Sequence, residues 1–161
     1  MSDFVFNIAR GRPHELHRRV DGNDPGNSAL ILVVLAAAGL QSDDVLRDYD
    51  DLGALLAASN NEPGQAQYNR KTLTDSDLTA ATIDDTLNLV RLTYPSQTWT
   101  SVVAGDSWAK ILTCYDSDTT AGTDADVVPI VAQDMLINGS VVIPAGVNIQ
   151  WSVPNGYYVS S

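Results

Sequence analysis

The sequence predicts a mainly β fold with one amphipathic helix (an α+β protein) whose C-terminal body is an antiparallel β-sandwich or barrel-like sheet. Asn138-Gly139 and Asn155-Gly156 each follow an apolar run, and Asn-Gly supplies the positive φ angles that a two-residue hairpin needs. Val147, Ile149, Trp151 and Val153 alternate with Asn148, Gln150 and Ser152, the period of a strand with one buried face. Sustained helical periodicity occurs in one stretch only, and charged residues make up just 18% of the chain, low for a helical bundle.

Taken in order, Phe4, Phe6 and Ile8 alternate with Val5, Asn7 and Ala9, as in a short extended segment. Pro13 suits the first turn of a short helix running toward Val20, because its missing N–H has no partner to lose there. Turn residues then crowd positions 21–28, a loop. Residues 29–35 are apolar throughout and rich in branched side chains, which favours a strand buried on both faces. The helix follows: Ser42 caps it, Asp43 and Asp44 suit its positive end, and Val45, Tyr49, Leu52 and Leu56 form one stripe, widened by Leu46 and Leu55. Gly53 inside it implies a closely packed neighbour, and Asn60, Asn61, Pro63 and Gly64 end it. Short strands are expected at 67–74, 88–94, 98–103 and 108–115. Residues 134–160, with Pro144-Ala145-Gly146 as a further turn, read as a β-meander. The chain thus divides into an N-terminal arm or attachment segment (1–28) with little core of its own, a buried strand plus helix (29–64), and a sandwich-like body (65–161).

Twenty acidic residues against nine basic ones give a net charge of −11, which repels phosphate backbones and argues against nucleic-acid binding. The basic residues are not evenly spread. Arg10, Arg12, Arg18 and Arg19 against Asp3 and Glu15 leave residues 1–20 at +2 and the remainder at −13. The longest apolar run, 29–40, is shorter than the roughly 18 residues that a membrane helix needs. No export signal is visible, so synthesis and assembly in a cytoplasm are expected. A single cysteine, Cys114, excludes an internal disulfide framework and zinc sites built on several thiolates.

Catalytic constellations are not evident. The only histidines, His14 and His17, lie in the basic segment, no nucleophile elbow is present, and Cys114 reads as a small buried hydrophobe. Phosphate-binding glycine loops are also missing. No cofactor is expected. Asp116, Asp118, Asp124 and Asp126 surround Gly122 in a manner that suggests calcium, but the spacing misses the EF-hand pattern. The reading preferred is a solvated strand connection, with a calcium site as the weaker alternative. Trp99, Trp108, Trp151, Tyr157 and Tyr158 offer either core aromatics or a glycan-stacking platform. Tyr157 and Tyr158 point to opposite faces, so one of them is a candidate for glycan or subunit contact.

Asn7-Ile-Ala-Arg-Gly-Arg12 and Asp21-Gly-Asn-Asp-Pro-Gly-Asn-Ser-Ala-Leu-Ile-Leu-Val-Val-Leu35 resemble the opening of a group of small virion structural proteins of tailed bacteriophages. Asp48-Tyr-Asp-Asp-Leu-Gly-Ala-Leu-Leu56 is similar to their following helix. Arg70-Lys-Thr-Leu73, Thr98-Trp99-Thr100 and Cys114-Tyr-Asp-Ser-Asp-Thr-Thr-Ala-Gly-Thr-Asp-Ala-Asp126 resemble later blocks. After about Val131 the chain departs from that pattern and becomes more apolar. The resemblance implies a non-enzymatic capsid decoration or head-fibre protein on the outer virion surface, bound to the major capsid protein or a neighbouring virion protein. It also implies a homo-oligomer, with a trimer expected. Phe4, Phe6, Arg10, Arg12, Arg18 and Arg19 are the expected attachment residues, arginine forks meeting acidic patches of a shell. A neck or tail component and a glycan- or host-surface-binding module are the alternatives. Neither nucleic acid nor membrane is an expected partner.

Overall fold

The computed structural model describes residues 2–161 and is mainly β, with 34% strand against 16% helix. In chain order the elements are β1 (Phe4–Val5), α1 (Pro13–Asp21), β2 (Ala29–Ala36), α2 (Asp43–Leu46), α3 (Leu52–Ala57), β3 (Lys71–Leu73), β4 (Thr82–Asp84) and β5 (Leu89–Leu92). They continue with β6 (Gln97–Val102), β7 (Trp108–Asp116), β8 (Val128–Asp134), β9 (Leu136–Ile137), β10 (Ser140–Val141), β11 (Val147–Trp151) and β12 (Tyr158–Ser160).

A five-stranded antiparallel sheet, ordered β1-β8-β7-β2-β3, divides the molecule. All eight residues of β2 are buried, and period two assigns them to separate cores. Leu30, Leu32 and Val34 join Ile111 of β7, Leu16 and Val20 of α1, Trp99 and Trp108 in one core. Ala29, Ile31, Val33 and Leu35 join Leu112, Cys114, Phe6 and the α2–α3 leucines Leu46, Leu52 and Leu55 in the other. The continuous apolar run of residues 29–35 is therefore what a strand covered on both faces requires. Small sheets, β6–β11 and β4-β5-β12, accompany the main sheet, and among the described residues no barrel closes.

The expected arm is built into this body. Phe4 and Val5 pair with Ala132 and Val131 of β8, and Phe6 is wholly buried. α1, with Pro13 in its first turn as expected, buries Leu16, His17 and Val20. The main sheet takes strands from 1–28, 29–64 and 65–161 alike, so those segments share one pair of cores.

The single helix expected after Ser42 is two short ones. Asp51 adopts an extended conformation (φ −143°, ψ 158°) and its carboxylate accepts from Ala54 N–H at 2.7 Å, starting α3 anew. Leu52 N–H leaves the helix path and donates to Val127 C=O at 2.9 Å. Aspartates compete with helical backbone bonds in this way and favour caps. The break also changes which side chains face inward: Leu46, Leu52 and Leu55 are buried, whereas Val45 is exposed. Gly53 does have its close neighbour, since a Cβ there would lie 3.0 Å from the Ala125 backbone nitrogen.

The C-terminal third forms only part of the expected meander. β9 and β10 are the hairpin that Asn138-Gly139 predicts, with φ of 52° and 78° at those two residues. β11, however, pairs with β6, and β12 pairs with β5. At the second Asn-Gly, only Gly156 has positive φ, so the type I′ geometry fails. A corner results instead, with Gly156 N–H donating to Val153 C=O at 2.9 Å and Tyr157 N–H to Leu92 C=O at 2.8 Å.

Candidate interaction surfaces

Residues 2–4 are tied to the sheet through Lys110, whose side chain is fully buried in β7. Its ammonium meets Asp43 Oδ1 at 3.0 Å and Asp134 Oδ1. It donates to Ser2 C=O at 3.2 Å and lies 5.3 Å from the Phe4 ring centre. Ser2 N–H donates to the other oxygen of Asp43 at 2.7 Å, and Asp134 N–H donates to Asp3 at 2.8 Å. Burial opposes ionisation of Asp43, but the Lys110 ammonium and the Ser2 N–H outweigh it and hold the carboxyl below its usual range. Sequence reasoning missed this cluster. The available signal was a lone lysine inside the apolar strand Trp108-Ala-Lys-Ile-Leu112, because a buried lysine requires anionic partners.

The expected attachment residues separate into two groups. Phe4 and Phe6 are core residues, 5.2 Å apart ring to ring, and unavailable to a partner; their alternation faces the interior of this chain. Arg12 and Arg19 both meet Glu15, at 3.4 and 2.9 Å. Arg10 and Arg18 are exposed and, among the described residues, have no carboxylate within ion-pair range. They are thus exposed cations of the N-terminal segment without a carboxylate partner among the described residues.

Each loop aspartate is occupied within the chain. Asp116 accepts from Asp118 N–H at 3.0 Å, and Asp118 accepts from Thr120 N–H and its hydroxyl at 3.0 and 2.6 Å. Asp126 accepts from Thr123 N–H at 2.8 Å. Asp124 receives both terminal nitrogens of Arg70, at 2.5 and 2.8 Å, and the same guanidinium holds Glu62 at 2.6 Å. The Arg70 bonds outweigh burial and keep the Asp124 carboxyl below its ordinary range. These are turn and capping bonds and, at Asp124, an ion pair with Arg70; no metal-binding group of three or more His, Cys, Asp or Glu occurs among the described residues.

Most of the candidate aromatic residues are built into the core. Trp99, Trp108 and Tyr157 are buried. Tyr157, expected as a candidate contact, stacks on Tyr94 at 5.3 Å. Tyr158 is half-buried with the His14 ring against it at 5.4 Å. Trp151 Nε1–H donates to the Tyr94 hydroxyl at 3.1 Å. His17 donates from Nε2 to Thr79 C=O at 2.9 Å, which leaves Nδ1 to accept from the Tyr157 hydroxyl at 3.0 Å. His14 and His17 therefore share no ligand position. Burial pushes the Tyr94 phenol up to about 12 and lowers the His17 pKa, against the Thr79 carbonyl and the more distant Asp21, which favour the cation.

A test follows from that sign. The folded state binds the His17 proton less readily than the unfolded chain, so its contribution is complete above the unfolded value near 6.5 and declines as pH falls through the window below it. The urea midpoint is expected to fall between pH 7.5 and pH 5 in the wild type. In a His17→Gln variant the midpoint should change little over the same interval, because the depressed carboxylates titrate lower.

Charge is absent from the last part of the chain: residues 135–161 contain no Asp, Glu, Lys, Arg or His. Here Leu136, Ile137, Ile143 and Val147 are exposed, Ile137 at 60% and Ile143 at 69%. A groove of about 310 Å³ lies among β9, the two residues after β10, and β11. Isolated exposed apolar residues are ordinary, but a contiguous set marks a contact surface. Among the described residues no helix is long and apolar enough to cross a membrane. No protein-family model matches the chain, and neither a curated protein nor a solved structure is found to be similar to it.

Proposed function

We propose that this chain is a structural protein of a tailed-phage virion, a capsid decoration or head-fibre protein that works by contact and not by catalysis. The observation that carries the contact reading is the exposed, uncharged apolar face of residues 136–147 on a chain of net charge −11. The sequence resemblance to phage structural proteins supplies the particle. Attachment to an acidic patch of the shell is assigned to Arg10 and Arg18, displayed by an N-terminal segment packed into the folded body. Arginine recognises carboxylates through paired donors, so two such guanidiniums on a folded segment suit an acidic patch.

Mass spectrometry of purified particles tests the role: the chain should be present at hundreds of copies, whereas about three to twelve would place it at the neck or tail. Arg10→Ala combined with Arg18→Ala should weaken binding to shells about tenfold or more while the circular dichroism spectrum stays unchanged. Particles lacking the chain, or a double variant that binds as tightly as the wild type, would overturn the corresponding part of the proposal.

A further inference from the structure

We infer that the groove beside β11 is an interface between copies of this chain, filled by the uncharged C-terminal segment of a second copy. The inference rests on the proposed role for its biological setting, but its physical basis is separate.

β11 pairs on one side only, with β6, in a two-stranded sheet. The consecutive residues 147–152 all line the groove. Successive side chains of a strand point to opposite faces, so a groove lined by an unbroken run follows the edge of the strand. That edge carries unpaired backbone donors and acceptors. Val147-Asn-Ile-Gln-Trp151 contains neither lysine nor proline to block strand addition, and the one irregularity in its pairing with β6 is confined to its start, between Val147 and Ile149. The opposite wall is supplied by the β9–β10 region, including Leu136, Ile137 and Ile143. The slot therefore offers hydrogen bonds along one side and apolar cover on the other, the two requirements of an added extended strand.

Charge selects the occupant. A cationic partner would be drawn to the acidic remainder of the molecule, because residues 135–161 offer neither sign of charge. Two copies at −11 each repel over most approaches, and this face lets them meet without placing like charges in the contact. The same segment also supplies what the slot accepts: short, uncharged strands with exposed branched side chains.

Sedimentation velocity across about 1–100 μM tests the inference, in the concentration range where modest interfaces assemble. The wild type should shift from monomer toward an oligomer as concentration rises. Raising NaCl from 50 to 500 mM should strengthen association, because screening removes repulsion while no ion pair is lost. Ile143→Asp with Val147→Asp should weaken association at least about 30-fold by burying charge at the contact. Val45→Asp, on the exposed side of α2, should leave it unchanged. Hydrogen exchange supplies a readout that needs no variant: amides within 147–152 should gain protection with concentration. A wild type that stays monomeric at 100 μM, association weakened by salt, or association unaffected by the paired aspartates would overturn the inference. Failure to bind particles with self-association intact would sink the virion role alone.

Discussion

Lys110→Met is expected to destabilise the fold by about 3–5 kcal/mol, the usual cost of stripping the partner from a buried charge. The wild-type ammonium serves Asp43, Asp134 and the Ser2 carbonyl together, so methionine fills the volume but leaves carboxylates without their cation. The pH dependence distinguishes this cause from a packing defect. In the wild type, Asp43 has a lowered pKa, so its contribution is complete above the unfolded carboxylate value near 3.9 and declines as pH falls through the lower folded value. In the variant burial is opposed by the Ser2 N–H without the ammonium, so the folded carboxyl rises relative to wild type and the stability gained above the carboxylate range shrinks. The deficit relative to wild type should therefore be larger at pH 7 than at pH 4. Denaturant titrations at both values measure it, and Lys110→Met combined with Asp43→Asn and Asp134→Asn should recover part of the loss. An equal deficit at both pH values would show that packing, not charge, is the cause.

Trp108→Ala should cost about 3–5 kcal/mol, as for other large buried aromatics. Trp108 is fully buried, meets Trp99 edge-on at 5.3 Å and Tyr68 at 5.6 Å, and directs Nε1–H at Gln65 Oε1 3.5 Å away. Its backbone also exchanges bonds of 2.8 and 3.0 Å with Val142, just beyond β10. The lost side chain would leave a cavity where the central sheet supports the C-terminal hairpin. Near-ultraviolet circular dichroism should lose intensity beyond that of one chromophore, and the urea midpoint should fall accordingly. If self-association is made through the face built on this hairpin, it should weaken in the same variant even under conditions where most molecules remain folded. A midpoint within error of the wild type would contradict the packing assigned to Trp108.

Much of the architecture was legible because it rests on local rules. The unbroken apolar run 29–35 predicted a doubly covered strand, Pro13 the start of α1, and Asn138-Gly139 a hairpin. Long-range pairing was not legible. Nothing within Val147-Asn-Ile-Gln-Trp151 specifies β6 over its sequential neighbour, and the partner of Phe4 lies at Ala132. The helix broke at Asp51 because a carboxylate and the Val127 carbonyl competed for backbone bonds, a tertiary effect that periodicity does not register. Among the surface residues, the exposed Arg10 and Arg18 were visible as charge, whereas Phe4, Phe6 and Tyr157 turn inward, Tyr158 being the more exposed of its pair. An aromatic at strand spacing looks the same in sequence whether it faces a partner or the core. The uncharged C-terminal segment was visible as composition, but its open strand edge required knowing where β11 pairs.

The pairing of the sheet has a kinetic consequence. β2 is completed early in synthesis, yet Ala29 finds Asp116 and Phe4 finds Ala132 only after most of the chain has emerged. Closing such distant contacts carries a loop-entropy penalty before any packing is gained, which places the protein among slow, millisecond-to-second folders. Until then the eight-residue apolar strand has only the short β3 beside it and lacks β7, the neighbour that pairs along its whole length. The nascent polypeptide is accordingly most prone to aggregation before β7 is available, and lower expression temperature or chaperone supply should raise the yield of folded protein.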